Sequence, residues 1–240
     1  MARKKVVFII VEGPSDQDAL ETLLTKIFDS SAVIVKVMYG DITTDLDVTP
    51  TNIKKKLAEA IKSYASQFGL KSSHFCQVIH LIDTDGAYVT DDCILEDESL
   101  DKPIYSTTNI TAKKRANIVD RNLRKRSNVN VLHTCPEIWS IPYSAYYMSC
   151  NLDHVLHNKL NSTDEEKEAD AHAFAKAYRD DVEAFVRFIC ESDFSVAGEY
   201  LDTWQFIKEE KHSLERYTNF GICLKEDKCD EVPDTPEANA

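Results

Sequence analysis

No stretch of this 240-residue chain is long and apolar enough to cross a bilayer. The longest early apolar run, Val6 to Val11, stops after six residues at Glu-Gly-Pro, which suits a buried strand and not the core of an export signal. A CxxC pair and a four-cysteine zinc ribbon are also missing. The seven cysteines (Cys76, Cys93, Cys135, Cys150, Cys190, Cys223 and Cys229) are scattered. An odd, scattered set without an export signal predicts reduced thiols and a cytoplasmic protein with no membrane association. No GxxxxGK[ST] loop is present, so no ATPase phosphate cradle of that kind is expected. Internal repeats and low-complexity tracts are absent as well.

What is present is ordinary for a globular chain, with 43% hydrophobic and 29% charged residues. The net charge of −13 would repel phosphate if it were evenly spread. It is not. Lys113, Lys114, Arg115, Arg121, Arg124, Lys125 and Arg126 cluster against the single acid Asp120, while acids dominate Asp91 to Asp101 and Asp164 to Asp170.

The first half alternates strand and helix patterns. The β-branched run Val6–Val11 predicts a strand buried on both faces of a parallel sheet. Gly13-Pro14 turns the chain, and Ser15, with Asp18 three positions on, predicts a capped helix carrying Ala19, Leu20, Leu23, Leu24, Ile27 and Phe28 inward. A second strand is expected over Val33 to Tyr39. A second helix follows, opened by Thr49-Pro50 and striped by Ile53, Leu57, Ile61, Tyr64 and Phe68. The third strand, Phe75 to Ile82, runs into Asp83-Thr-Asp85-Gly86, giving a βαβαβ unit with parallel strands. An acidic loop then leads to a helix from about Thr111 to Arg126. Its expected inner face is Ala112, Ala116, Val119 and Leu123, with Lys113, Lys114, Arg121, Arg124 and Lys125 opposite. Val129 to His133 reads as the next strand, and the pattern turns helical from Pro142. These readings divide the chain into an α/β domain over 5–135, a helical subdomain over 136–224, and a polar, disordered tail over 225–240.

Chemistry is expected at the strand ends. Glu12 follows the first strand, and Asp83 and Asp85 follow the third, where ligands of a doubly wound sheet bind if those strands flank the switch point. Asp16, at the start of the first helix, can point back into the same crevice. Four carboxylates brought together raise one another's pKa unless a cation joins them, and hard oxygens suit Mg²⁺ or Mn²⁺. The basic helix is the expected phosphate-tracking surface for nucleic acid, through Lys113, Lys114, Arg121, Arg124 and Lys125. Two further clusters are set aside: Cys150, His154 and His157 lack a fourth ligand at zinc spacing and read as packed or exposed residues, and Trp139, Tyr143, Tyr146 and Tyr147 suit a core rather than base stacking.

The pairing of Val11-Glu12-Gly13-Pro14-Ser15-Asp16 with Leu81-Ile82-Asp83-Thr84-Asp85-Gly86 resembles the Toprim domain over about residues 5 to 135. The Glu-Gly-x-Ser-Asp form is most similar to the OLD-family nucleases and to small Toprim effectors of phage-defence systems, including AbiL-type abortive-infection proteins and the PARIS effector. The resemblance implies a doubly wound parallel Toprim sheet with a C-terminal helical subdomain. It also implies a metal-dependent nuclease, an endonuclease acting on DNA or RNA (tRNA by analogy), in antiviral defence. Glu12 would then be a metal ligand and general acid/base, and Asp16, Asp83 and Asp85 metal ligands, with Asp83 and Asp85 also counted with Glu12 as catalytic. The family's late lysine has no motif here, and Lys113 or Lys114 stands in as a guess. With no ATPase loop on the chain, a separate ATPase partner is expected. Two alternatives stay open. One is a non-catalytic, metal-binding regulatory subunit of such a complex. The other is a HAD-like phosphatase, since Asp83-Thr84-Asp85-Gly86 also resembles that nucleophile turn, though on the third strand and with Glu12 unexplained.

Overall fold

The structure, a computed structural model, describes residues 5–28, 32–37 and 41–225. In chain order the first elements are β1 (Val6–Val11), α1 (Pro14–Ile27), β2 (Ala32–Val37), α2 (Ile53–Gln67) and β3 (Phe75–Asp83). Three short strands follow, β4 (Ile94–Glu96), β5 (Ile104–Tyr105) and β6 (Ile110–Ala112), and then the helix α3 (Arg115–Leu132). β7 (Glu137–Ile138) and β8 (Ile141–Met148) precede α4 (Leu152–His157), α5 (Asp164–Tyr178), α6 (Val182–Glu191), α7 (Tyr200–Phe206) and α8 (Phe220–Lys225). The main sheet has the order β2-β1-β3-β8-β7, parallel throughout except for the edge strand β7. β1 and β3 are neighbours, so the point where strand order reverses lies between them, as the motif spacing requires.

Both faces of the sheet are covered. Val7, Ile9 and Val11 of β1 pack with Leu20, Leu23 and Leu24 of α1 and with α5, α6 and α8. The alternate residues Val6, Phe8 and Ile10 pack with Ile53, Leu57 and Ile61 of α2, Val129 and Leu132 of α3, and Trp204. Full burial of such side chains contributes about 1.5–3 kcal/mol each relative to exposure. The molecule is thus α/β with a parallel sheet between two helical layers. Among the described residues no helix is long and apolar enough to cross a membrane.

Several sequence expectations are corrected. The run Val129–His133 is not a strand: Val129 to Leu132 complete α3, an 18-residue helix. Its β-branched residues mimic a strand, but Ile118, Asn122, Lys125, Val129 and Leu132 follow helical spacing and form the buried face. Ile141–Met148, expected to begin a helical region, is instead the strand beside β3, so the expected boundary at residue 135 falls inside the sheet. The tyrosines Tyr143, Tyr146 and Tyr147 on it are core residues, as expected. The acidic loop contains β4, which joins β6 and β5 in a small second sheet, and Ala112 is in that sheet rather than in α3. α1 begins at Pro14, with Gly13 rather than Ser15 as its N-cap, and α2 begins at Ile53. The thiols of Cys93, Cys135 and Cys150 are free, whereas Cys76 is disulfide-bonded, so the all-thiol expectation fails there. The expected strand end at Tyr39 and the tail over 226–240 lie outside the described residues.

Candidate metal centre

Glu12 and Asp83 leave adjacent parallel strands on opposite sides of the sheet. Glu12 continues the parity of Phe8 and Ile10 toward α2 and α3, while Asp83 continues that of Ile79 and Leu81 toward α1. They still touch through the backbone, because the Asp83 N–H donates to Glu12 Oε1 at 3.2 Å.

Asp85 belongs with Glu12. Its φ of 49° is left-handed, and Gly86 follows at 65°, so the chain reverses. Such a φ is uncommon outside glycine, though aspartate tolerates it better than most residues. The turn is clamped to the end of β8. Thr84 N–H donates to Met148 O at 2.9 Å and Asp85 N–H to Cys150 O at 2.8 Å. The Thr84 hydroxyl donates to Ser213 O and accepts from Cys150 N–H, both at 2.9 Å. Arg121 Nη2 donates to Asp85 O at 2.8 Å, and its Nη1 meets the Tyr105 hydroxyl.

The third acid is Asp41, in the loop after β2. Glu12, Asp41 and Asp85 each present a carboxylate oxygen, and the three atoms lie within 4.8 Å of one another. Lys125 of α3 reaches into this triad. Its Nζ is 2.7 Å from Asp41 Oδ2 and 3.7 Å from Glu12 Oε2, and it contacts Asp85 Oδ2 more closely still. Lys125 is 0% exposed, which three surrounding carboxylates make tolerable for an ammonium.

Burial pushes the Glu12 carboxyl well above its usual range; Lys125 opposes this, and Asp41, Asp83 and Asp85 reinforce it. At Asp41 burial also acts upward, but the charge and hydrogen bond of Lys125, aided by Thr43, bring it down to about 2. Burial alone would lower Lys125, yet Asp41, Asp85 and Glu12 hold its ammonium well above the ordinary lysine range. With all three acids ionised, the triad and Lys125 together carry a formal charge of about −2, which a divalent cation matches.

Asp16 and Asp83 form a second group on the α1 side. Burial raises Asp83 well above its usual range, with Asp16 and Asp85 adding and Lys125 and Lys167 opposing. Asp16 is pushed up to about 6, chiefly by burial, although the Gly13 N–H donates to its Oδ2 at 2.9 Å. Asp153 of α4 also raises Asp16 and pairs with Lys167 of α5 at 3.2 Å. The four acids expected in one cluster are therefore divided across the sheet edge, two on each side, and joined by the Glu12–Asp83 hydrogen bond.

The basic helix is corrected more strongly. Lys125, expected on the solvent face, is buried in the triad, while Leu123, expected inside, is 57% exposed. Arg121 is bonded within the protein, and Arg124 Nη1 donates to Thr44 O at 3.0 Å. Lys113 and Lys114 are exposed at the start of α3, so neither is the lysine of the triad. Asp41, Asp153 and Lys167 were not anticipated. Asp41 had a weaker signal, since it lies four residues beyond the second strand whereas Glu12 directly follows the first. Among the described residues, Cys150, His154 and His157 do not form a metal-ligand cluster. No family model matches the chain, and neither a curated protein nor a solved structure does.

Proposed function

We propose that the crevice beyond the carboxyl ends of β1, β2 and β3 holds Mg²⁺ or Mn²⁺ and serves the hydrolysis of phosphodiester bonds in DNA or RNA, as the resemblance to Toprim nucleases implies. The observation that carries this reading is the meeting of Glu12, Asp41 and Asp85, from three separate chain segments, with ligand oxygens within 4.8 Å. The donor set fits a hard cation. Asp41 Oδ2 is buried, and its partner there is the Lys125 ammonium 2.7 Å away. A cation bound there lowers the pKa of a bound water and offsets phosphate charge.

The chain's own groups then divide the work. Asp41, which burial pushes up but Lys125 holds down to about 2, is an ionised ligand, and Asp85 supplies the ligand oxygen beside it. Glu12, whose carboxyl is raised by burial, is the group able to hold and return a proton beside the ligand oxygens. Arg121 fixes the Asp85 turn from behind. Asp83 and Asp16 supply the remaining carboxylates on the α1 side. Lys113 and Lys114 remain the exposed cations for a phosphate backbone. The role in phage defence and the separate ATPase partner rest on the resemblance alone.

The purified chain should cut some DNA or RNA with Mg²⁺ or Mn²⁺, and Glu12→Ala or Asp85→Ala should abolish cutting. Cleavage that survives both substitutions and a chelator would rule this mechanism out. One observation favours a second reading, a non-catalytic regulatory subunit: Lys125 already sits among the three acids. That reading expects no cleavage under any metal, by the isolated chain or by an assembled complex.

A further inference from the structure

We propose that Lys125 is a tethered competitor for the cation: its ammonium and a divalent ion occupy the same space between Glu12, Asp41 and Asp85, so the ion enters only as the ammonium withdraws. The inference rests on the metal reading above and concerns how that site is regulated.

The geometry leads to exclusion. A cation bound to three oxygens that lie within 4.8 Å of one another must sit between them. Lys125 Nζ already lies there, 2.7 Å from Asp41 Oδ2, 3.7 Å from Glu12 Oε2 and in close contact with Asp85 Oδ2. Mg²⁺ and Mn²⁺ need oxygens at about 2.0–2.2 Å, which leaves no room between the same three carboxylates for the ammonium that now touches them. Two cations so close also repel strongly in a site whose three acids are partly withdrawn from water. An ammonium on a flexible four-carbon stem can give way without moving α3, which an arginine fork or a backbone group could not do as readily. The ammonium also explains how three converging carboxylates are tolerated without an ion, since it neutralises one of their charges and is 0% exposed itself. The metal-free protein is therefore held together by the group that the metal must displace, and the apparent affinity is weakened by the fraction of time the ammonium is in place.

The test uses the full chain and Mn²⁺. Calorimetric titration should show Mn²⁺ binding to Lys125→Met roughly tenfold or more tighter than to the wild type, because the competitor is gone. Equal or weaker binding by Lys125→Met would overturn the proposal, since a lysine that merely supports the site would leave affinity unchanged or reduce it. Absence of Mn²⁺ binding by both proteins would sink the metal reading itself and this inference with it, a distinct outcome. Should Lys125→Met fail to fold, the wild type decides. Mn²⁺ should raise the rate at which acetic anhydride modifies Lys125, read by peptide mass, as the ammonium leaves the triad. Unchanged or reduced modification in protein that has bound Mn²⁺ would overturn the proposal.

Discussion

Asp41 Oδ2 and Lys125 Nζ lie 2.7 Å apart, and this pair ties the loop after β2 to the middle of α3. Both groups are largely withdrawn from water, so deleting one charge strands the other. Asp41→Asn should lower the unfolding free energy by about 2–4 kcal/mol, less than a fully isolated pair because Asp85 and Glu12 still face Lys125. Equilibrium urea unfolding with chelator present would measure it. A loss under about 0.5 kcal/mol, the size of a neutral surface change, would show that the pair is not structural.

Thr84 is the residue that fixes the Asp83–Asp85 turn against β8. Its hydroxyl is buried, donating to Ser213 O and accepting from Cys150 N–H, both at 2.9 Å. Thr84→Val keeps the shape and removes both bonds, while the Cys150 N–H still donates to Ser213 O at 3.0 Å, so the cost is that of two lost bonds and not of two orphaned groups. The expected cost is about 1–3 kcal/mol. Because Asp85 is the next residue, Mn²⁺ affinity should fall in the same variant. Wild-type stability and affinity in Thr84→Val would mean that the turn is held by its backbone bonds alone.

Gly86 stands where the chain turns with φ 65°, and a Cβ there would lie 2.4 Å from Leu214 Cδ2 and 3.1 Å from Ile110 Cδ1. Gly86→Ala therefore combines a left-handed alanine with overpacking against two fully buried side chains. Together these should cost about 2–4 kcal/mol. Because Leu214→Ala relieves the overpacking, the double variant Gly86→Ala/Leu214→Ala should lose less than the sum of the two single losses when thermal midpoints are compared. Simple additivity would place the strain elsewhere.

The strands and acids that begin the site were legible for a physical reason. The six-residue apolar run before Glu12 and the largely apolar strand that ends at Asp83, interrupted by Gln77 and His80, can be read locally, because strands buried on both faces show little polar alternation. The side each acid faces depends on strand parity carried past the strand end. For Asp85 it also depends on a left-handed backbone that no local pattern announces. α3 was misread because its surface code is inverted at one turn. Lys125 is buried by tertiary pairing with three acids, and Leu123 is left outside. Hydrophobic periodicity assumes that charge faces water, and here charge faces charge. Val129 and Val131 then mimicked a strand, although helical packing of Val129 and Leu132 against the sheet decided the matter. The fourth parallel strand, β8, was hidden by its tyrosines, which were read correctly as core but not as a strand.

His80 gives a pH test that is separate from metal binding. It is 1% exposed on β3, with Nδ1 2.9 Å from the Tyr143 hydroxyl. Burial, with Lys125 adding and Asp41 opposing, holds it down to about 4 from an ordinary value of 6.5. Between those values the unfolded chain binds a proton that the folded one refuses, so stability falls as pH falls from about 6.5 to 4. The full difference amounts to about 3 kcal/mol by the lower end. Asp16, held up to about 6, slopes the opposite way over part of this window, and His133 and His154, each held down to about 4, add to the slope of His80. Asp41 contributes below the window, since its stabilisation is lost only as pH falls toward about 2. The difference between variants therefore carries the test, not the wild-type curve. Urea midpoints measured from pH 7 to 4 should fall less steeply for His80→Gln than for the wild type, with the gap opening below about 6.5. Parallel curves would mean that His80 takes up its proton without leaving the core.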